Sequence, residues 1–505
     1  MLKRRGKGLL AAVVAAFVIS GCGGGGGGGG GGAPVPTLLS ATPGDSQVTL
    51  NWDSIPGIYY WIWWIQSTVP VTIGQNGNAV GGNVNVLPPY VMFGMINGLP
   101  YSFSLNAHAG DPNAPGGPQS NSLSVTPRLA GASWTPCTAS GSTCPAGAPT
   151  IYGLSMGVNA GIMTSDFGII RNYLAVGNGG QMFVSPDAKN WSALPAQSAC
   201  TPPGGGSLRA TDFGWSTFVA VGDNGTLCFS GLNFNNPAGL GLDFVTTPAT
   251  ANWYPATTVP AGMGTPNFYA VSTNQNGWAA LGGAHVAVGS GGTIIFSGDG
   301  QNWLATTKLS TITSDLYDVA YNFCMVPNWS WVAAGANGTL VGTIDPTGGT
   351  GWTTVGFNVG TTRSLRGVAC SPNTVPPPLP GYPPAYFLPL YVAVGDGGVL
   401  LTSSDGLNWS TPSNFKIANV AVTSFPVNMR RVTYGTQFVA VGDNGSIFTS
   451  LDGVNWTPQS SGTTANIYAV TAPQATLTPI PNGYKGVIPF GYSVAGTNGF
   501  TGFGQ

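Results

Sequence analysis

The stretch Phe438-Val-Ala-Val-Gly-Asp-Asn-Gly-Ser-Ile-Phe-Thr-Ser-Leu-Asp-Gly-Val-Asn-Trp456 decides the fold. Its first four residues are apolar and β-favouring. Gly442-Asp443-Asn444-Gly445 then supplies residues that tolerate positive φ, as a tight hairpin turn demands. Ser446 to Ser450 reads as a second strand, Asp452-Gly453 as a second turn, and Asn455-Trp456 opens a third strand. One such unit exposes both faces and an edge, so it is not stable alone. It needs copies of itself.

Seven copies of the Gly-terminated strand are present. They are Tyr173-Leu-Ala-Val-Gly177, Phe218-Val-Ala-Val-Gly222, His285-Val-Ala-Val-Gly289, Trp331-Val-Ala-Ala-Gly335, Tyr391-Val-Ala-Val-Gly395, Phe438 to Gly442 and Tyr492-Ser-Val-Ala-Gly496. Upstream of each lies a shorter repeat, read as the first strand of its unit: Ile151-Tyr152, Leu208-Arg209, Phe268-Tyr269, Leu316-Tyr317, Leu365-Arg366, Met429-Arg430 and Ile467-Tyr468. Downstream, a tryptophan marks the fourth strand at Trp191, Trp253, Trp303, Trp352, Trp409 and Trp456. The seventh unit has no tryptophan after it. Ala132-Ser-Trp134-Thr-Pro precedes the first unit and carries the fourth-strand motif alone. A ring of blades removes exposed edges when an N-terminal strand completes the C-terminal blade. The spacing therefore predicts an all-β chain whose residues 130–505 form a seven-bladed β-propeller sealed near Trp134.

Composition agrees with that class. Of 505 residues 79 are glycine and only 6% are charged, as tight turns and a surface solvated by Ser, Thr and Asn require. Helical patterning is almost absent after residue 20. All 16 acidic residues are Asp, and no Glu occurs. No basic run or aromatic-basic interleaving addresses nucleic acid. With His108 and His285 as the only histidines, no metal centre or other cofactor is expected.

The N-terminus carries a basic segment (Lys3, Arg4, Arg5, Lys7) and an apolar run, Leu9 to Ile19, too short to span a bilayer. It ends in Ile19-Ser20-Gly21-Cys22, which resembles the lipobox of bacterial lipoproteins. That resemblance makes residues 1–21 a signal peptide and Cys22 the lipidated N-terminus of the mature chain, tied to the membrane through its acyl chains. Gly23 stands where inner-membrane retention would need Asp, so an outer-membrane anchor, periplasmic or surface-exposed, is implied. Residues 22–36 hold that Cys and a polyglycine tether, a flexible coil reaching roughly 20 Å.

Residues 37–128 contain Val48-Thr-Leu-Asn-Trp52, the aromatic run Tyr59-Tyr-Trp-Ile-Trp-Trp64, and Gly98-Leu-Pro-Tyr101-Ser-Phe-Ser-Leu-Asn-Ala107. Together they resemble a fibronectin type III domain. The resemblance implies a buried Trp52, a tyrosine-corner region at Leu99 and Tyr101, and a spacer or adhesive role. Alternate aromatics of Tyr59 to Trp64 point to opposite faces. One set is either covered by a neighbouring element or exposed as a sugar- or protein-binding stripe.

Six further cysteines in an exported chain imply disulfides. Cys137 and Cys144 bracket a polar loop and are expected to pair. Cys324 and Cys370 follow the first strands of consecutive blades and could meet, which leaves Cys200 with Cys228.

The segments ending Asp187-Ala-Lys-Asn-Trp191, Asp299-Gly-Gln-Asn-Trp303, Asp405-Gly-Leu-Asn-Trp409 and Asp452-Gly-Val-Asn-Trp456 resemble the Asp-boxes (BNR repeats) of sialidase-like propellers and of the photosystem II assembly-factor family. They are one residue shorter than the full box. The resemblance implies a structural role for Asp187, Asp299, Asp405 and Asp452, holding the turn between third and fourth strands.

The opposite face is the candidate binding site. The Gly-x-x-Gly turns place Asp223, Asp396 and Asp443 there, near the second residues of the inner strands: Tyr152, Arg209, Tyr269, Tyr317, Arg366, Arg430 and Tyr468. Three guanidiniums and four phenols around one opening suit an anionic or peptide ligand, or they simply stack between blades. Without Glu, a Ser-His-Asp order, a P-loop or a metal motif, no catalytic residue is assigned. The expected function is a monomeric, non-catalytic scaffold for a protein or surface glycan. The alternatives are a carbohydrate-active enzyme and a purely architectural surface protein.

Overall fold

The computed structural model describes residues 33–504 except 46, 81–85, 94, 111–115, 160–169, 215–216, 231–252, 275–283, 322–330, 347–350, 355–358, 372–389 and 473–490. The segment expected to be a lipobox, with Cys22, and most of the expected tether lie outside the described residues.

Residues 38–125 form two antiparallel sheets around one core. Leu38–Gly44, Gln47–Trp52 and Tyr90–Phe93 make the first; Asn78–Val80, Ile58–Ile65, Tyr101–Ala109 and Leu123–Val125 make the second. Strand alternation puts Tyr60 and Ile62 into that core with Trp52, Phe103 and Leu105. Trp61 and Trp63 take the other face and are half-buried. Trp61 stacks on His108 at 5.2 Å, and the Trp63 indole N–H donates to Asn106 Oδ1 at 2.8 Å.

From Trp134 onward the described residues form seven further sheets, antiparallel but for one added parallel strand in the sixth. Their inner strands are Ile151–Asn159, Leu208–Gly214, Phe268–Thr273, Leu316–Tyr321, Leu365–Ser371, Met429–Tyr434 and Ile467–Thr471. Each inner strand packs against the next, and Ile467–Thr471 packs back against Ile151–Asn159. The chain thus folds as a β-propeller. In the last sheet Trp134–Pro136 pairs with Thr501–Gly504, in the register Gly502↔Pro136, Phe503↔Thr135 and Gly504↔Trp134. The sixth sheet is widened by Lys416–Ile417, which lies parallel to Asn455–Gln459, and by Val420–Ala421.

The turns follow from local chemistry. Asn444 and Gly445 both sit at positive φ, 58° and 69°, as do Asn224 and Gly225 at 56° and 75°. Only Gly and Asn adopt that region at small cost.

The core of the ring lies between sheets. Trp303 packs with Val219, Val221 and Leu227 of the preceding sheet, Trp456 with Val392 and Val394, and Trp191 with Ala469 and Phe503 across the first–last seam. Trp134 shares a cluster with Val439 and Val441 of the sixth sheet. Truncating one such tryptophan to Ala costs about 3–5 kcal/mol.

Among the described residues two disulfides are formed, Cys137–Cys144 and Cys200–Cys228. Cys324 lies outside the described residues, so its expected pairing with Cys370 is not described.

Candidate functional site

In every inner strand the second residue is skipped by the ladder. Leu208 pairs with Gly222 and Ala210 with Val221, leaving Arg209 bulged between them. The same shift isolates Tyr269, Tyr317, Arg366, Arg430 and Tyr468, and Tyr152 lies between the pairs Ile151↔Gly177 and Gly153↔Val176. A bulge re-aims its side chain out of the strand's alternation. All seven of these residues are half-buried.

Re-aimed, they meet in one annulus. The Arg209 guanidinium lies 4.6 Å from the Tyr152 ring centre, Arg366 4.0 Å from Tyr317, and Arg430 5.8 Å from Tyr468. Tyr269 and Tyr317 rings are 5.4 Å apart, and Tyr468 and Tyr152 are 5.6 Å apart, which joins last sheet to first. Arg209 interacts electrostatically with Tyr269, and Asp396 links Arg366 to Arg430. Cation–π and ring contacts of this kind contribute about 0.5–1.5 kcal/mol each.

Each arginine is also held by the aspartate of its own sheet's turn. Arg209 Nε and Nη2 donate to Asp223 Oδ1 and Oδ2, both at 2.9 Å. Arg430 grips Asp443 at 2.7 and 2.9 Å, and Arg366 Nη2 donates to Asp396 at 2.8 Å. Burial pushes the Asp223 carboxyl up, but the Arg209 fork and the Ser207 N–H outweigh it, so its pKa stays below the usual carboxylate range. Three positive charges are thus matched by three negative ones. The annulus is a neutral face of planar groups, not the free cationic ring that the arginines alone imply.

Sequence reading missed this coupling although its signal is present. Asp opens the Gly-x-x-Gly turn only in the three sheets whose bulged residue is Arg; the Tyr sheets have Asn178, Ser290, Ala336 and Thr497 there.

Below the annulus, inner strands present unpaired backbone edges to the channel, and side chains of the preceding sheet satisfy several of them. The Thr273 N–H donates to Asp212 Oδ2 at 2.7 Å, the Val368 N–H to Asp318 Oδ2 at 2.9 Å, and the Tyr321 N–H to Ser272 Oγ at 3.3 Å. Burial raises the Asp212 pKa to about 7, against the pull of the Phe213 and Thr273 N–H groups and the Arg431 charge. Burial likewise raises Asp318, which pairs with Arg431. The sequence reading passed over all three. Their signal was charge inside apolar strands, where burial demands a partner.

The aspartates Asp187, Asp299, Asp405 and Asp452 are saturated by their own turns. Asp405 Oδ1 accepts the N–H groups of Leu407 and Asn408 at 2.8 Å each, and Oδ2 accepts Asn408 Nδ2 at 2.7 Å. Asp187, Asp299 and Asp452 repeat the pattern. The following tryptophan donates its Nε1–H three residues back, as Trp409 does to the Gly406 carbonyl at 3.0 Å. Trp253 and Trp352, in the second and fourth sheets, where no such aspartate precedes the tryptophan, have buried Nε1 atoms with no partner among the described residues.

His285 is fully buried with Nδ1 2.8 Å from Thr273 Oγ1, and burial lowers its pKa to about 4. Among the described residues no group of three or more His, Cys, Asp or Glu side chains could hold a metal ion.

Fold and face together define a β-propeller with one annular candidate site. No protein-family profile and no curated protein matches the chain. Solved structures similar to it include "YCF48 bound to D1 peptide", at 14% identity over 74% of this chain and 94% of that one, with a TM-score of 0.46. "YCF48 from Cyanidioschyzon merolae" is 15% identical over 74% and 99%, TM-score 0.42. The WD40 propeller domain of Doa1 is 10% identical over 72% and 95%, TM-score 0.44. These are likenesses of fold alone.

Proposed function

We propose that this chain is a cell-envelope lipoprotein whose propeller docks a partner polypeptide, without catalysis, across the annulus of Tyr152, Arg209, Tyr269, Tyr317, Arg366, Arg430 and Tyr468. The observation that carries the reading is the unbroken run of re-aimed planar side chains around one opening, each half-buried, with no net charge. Such a face offers ring and guanidinium planes to a polypeptide's amides and aromatic groups, and Tyr and Arg are the residues on which binding energy concentrates.

The rest of the architecture presents that face. Cys22 carries the lipid, residues 23–32 hold the folded part off the membrane, and residues 37–128 act as a fibronectin type III-like spacer. Two features support the spacer reading. Its first, second and fifth strands form one sheet and the other four the second. The Ile96 N–H donates to Tyr101 Oη at 3.0 Å, the bond of a tyrosine corner. The carboxylate-to-backbone pattern of Asp187, Asp299, Asp405 and Asp452 supports the Asp-box reading of the repeat.

The test is crosslinking and pull-down from intact cells with wild type and a Tyr269→Ala/Tyr317→Ala variant whose melting temperature is checked alongside. Loss of the captured protein by tenfold or more, with the fold retained, is expected. Unchanged capture makes the propeller architectural; turnover of a glycan by purified protein replaces the reading with an enzyme. Cys22→Ser is expected to release the chain from the membrane fraction, and retention there removes the lipid anchor.

A further inference from the structure

The two ends of a propeller strand open on opposite faces of the ring. In the sixth sheet Arg430 lies at the annulus end, beside the pair Met429↔Gly442. Tyr434 and the turn into Phe438 lie at the other end, roughly 13 Å further along the strand. The turn held by Asp452 is on that second face too, because it follows Ser450, the partner of Phe438.

The sandwich is seated on the second face. Ala130, fully buried, joins the two parts: its N–H donates to Asp45 Oδ2 at 3.2 Å and its carbonyl accepts Gln437 Nε2 at 2.6 Å. Gln437 belongs to the turn of the sixth sheet, and the Tyr492 hydroxyl of the seventh donates to its carbonyl at 2.6 Å. Asp45 is buried and accepts Asn97 Nδ2 at 2.7 Å on the sandwich side. Burial, and with it the Asp45 charge, raises the pKa values of Tyr434 and Tyr492. The segment leading into Ala130 is pinned as well. The Arg128 N–H donates to the Gly44 carbonyl at 3.1 Å, and the Pro127 carbonyl accepts the Gly98 N–H at 2.8 Å. Domains on a bare linker move freely; these bonds hold one arrangement.

The N-terminal end of the sandwich points the other way. Gly44, at the joint, closes the strand Leu38–Gly44, so Leu38 and its partner Trp52 lie roughly 20 Å from it. Ala33 is buried beside Gly117, whose N–H donates to the Ala107 carbonyl near the end of Tyr101–Ala109 remote from Tyr101.

We infer that the sandwich is a fixed pedestal under the propeller, which sets Ala33 and the annulus at opposite poles, so that the annulus takes a partner polypeptide approaching from the side remote from the N-terminal segment. The pedestal follows from the joint alone. The direction of approach rests on the annulus being the docking face.

Paired nitroxide labels on the full chain, read by pulsed EPR, test the pedestal. Ile55→Cys marks the N-terminal pole, Thr362→Cys the annulus face and Leu451→Cys the opposite face, all at exposed positions. The Ile55–Thr362 distance is expected as a single narrow peak, longer than Ile55–Leu451 by on the order of 10 Å. Asp45→Ala with Gln437→Ala, which cuts both bonds to Ala130, is expected to broaden that peak about twofold while the propeller still melts cooperatively. A broad distribution in wild type, or equal distances to the two faces, overturns the pedestal. For the direction of approach, streptavidin is bound to biotin at Thr362→Cys or at Leu451→Cys before pull-down. Capture is expected to fall about tenfold with the first and to persist with the second. The reverse pattern overturns the direction and leaves the pedestal standing, while Tyr269→Ala/Tyr317→Ala remains the separate test of the annulus.

Discussion

Arg431 of the sixth sheet reaches past the fifth and donates its Nη1–H to Asp318 of the fourth. Gly367 of the intervening strand allows the approach: a Cβ there would lie 2.7 Å from the Val432 nitrogen and 2.9 Å from the Arg431 Cα. The bond ties three sheets together inside the channel, because Asp318 also accepts the Val368 N–H of the fifth.

Removing one partner of this buried pair leaves the other uncompensated. Arg431→Met is expected to cost about 3–5 kcal/mol at pH 8 by denaturant unfolding. Burial already raises the Asp318 pKa, so its charged form is the costly one and the loss should shrink as pH falls. Asp318→Asn combined with Arg431→Met should recover most of the stability. Gly367→Ala should cost about 1–3 kcal/mol through crowding alone, with no such pH dependence.

Asp212 titrates near neutrality in the fold, at about 7 against 3.8 for the free carboxyl. A raised folded pKa means its stabilising contribution is complete below the unfolded value and is lost as pH rises through 7. The span corresponds to on the order of 4 kcal/mol. Asp212→Asn should remove that slope, giving a flatter stability profile between pH 5 and 8 in chemical denaturation.

His285 has the opposite sign. Its folded pKa of about 4 lies below the free value of 6.5, so its contribution is present above 6.5 and disappears as pH falls through 4. Phe218 and Phe438 occupy the equivalent position in other sheets, so His285→Phe fits the packing. The variant should resist acid better across that window, measured as the melting temperature at pH 4 against pH 7.

The carboxylates of Asp187, Asp299, Asp405 and Asp452 knit turns. Asp405→Ala frees two backbone N–H groups and the Asn408 amide, and is expected to cost about 2–3 kcal/mol. Its carboxyl sits at about 2, below the ordinary 3.8, despite some burial, because the Asn408 and Leu407 N–H groups favour the charged form. The wild-type contribution should therefore persist above pH 4 and fade only as pH drops through 2. Thermal unfolding of both proteins at pH 7 and pH 2 checks it.

Local features were legible because their causes lie within a few residues of each other. The apolar-Gly strand, the Asn-Gly and Gly-Gly turns and the all-β class follow from propensity and sterics that a short stretch already contains. The Cys137–Cys144 pairing is equally local, across one short loop. The face that the seven Tyr and Arg residues share could be named from their recurrence, but what they do there could not. Alternation along Leu208-Arg209-Ala210 says nothing of a skipped pair, since a bulge exists only relative to the partner strand.

The sequence by itself determined the repeating β-unit, the positions of its turns and which residue types recur at which register. Tertiary structure alone decided that Arg209, Arg366 and Arg430 are neutralised by Asp223, Asp396 and Asp443, and that Arg431 passes its neighbour to reach Asp318. It also decided that the Asn428 side chain crosses to the preceding sheet and accepts the Gly397 N–H. The physical reason is the same throughout. Conformational preference is a property of the chain at a point, whereas charge compensation, burial and hydrogen-bond satisfaction are properties of neighbours that only a closed ring brings together.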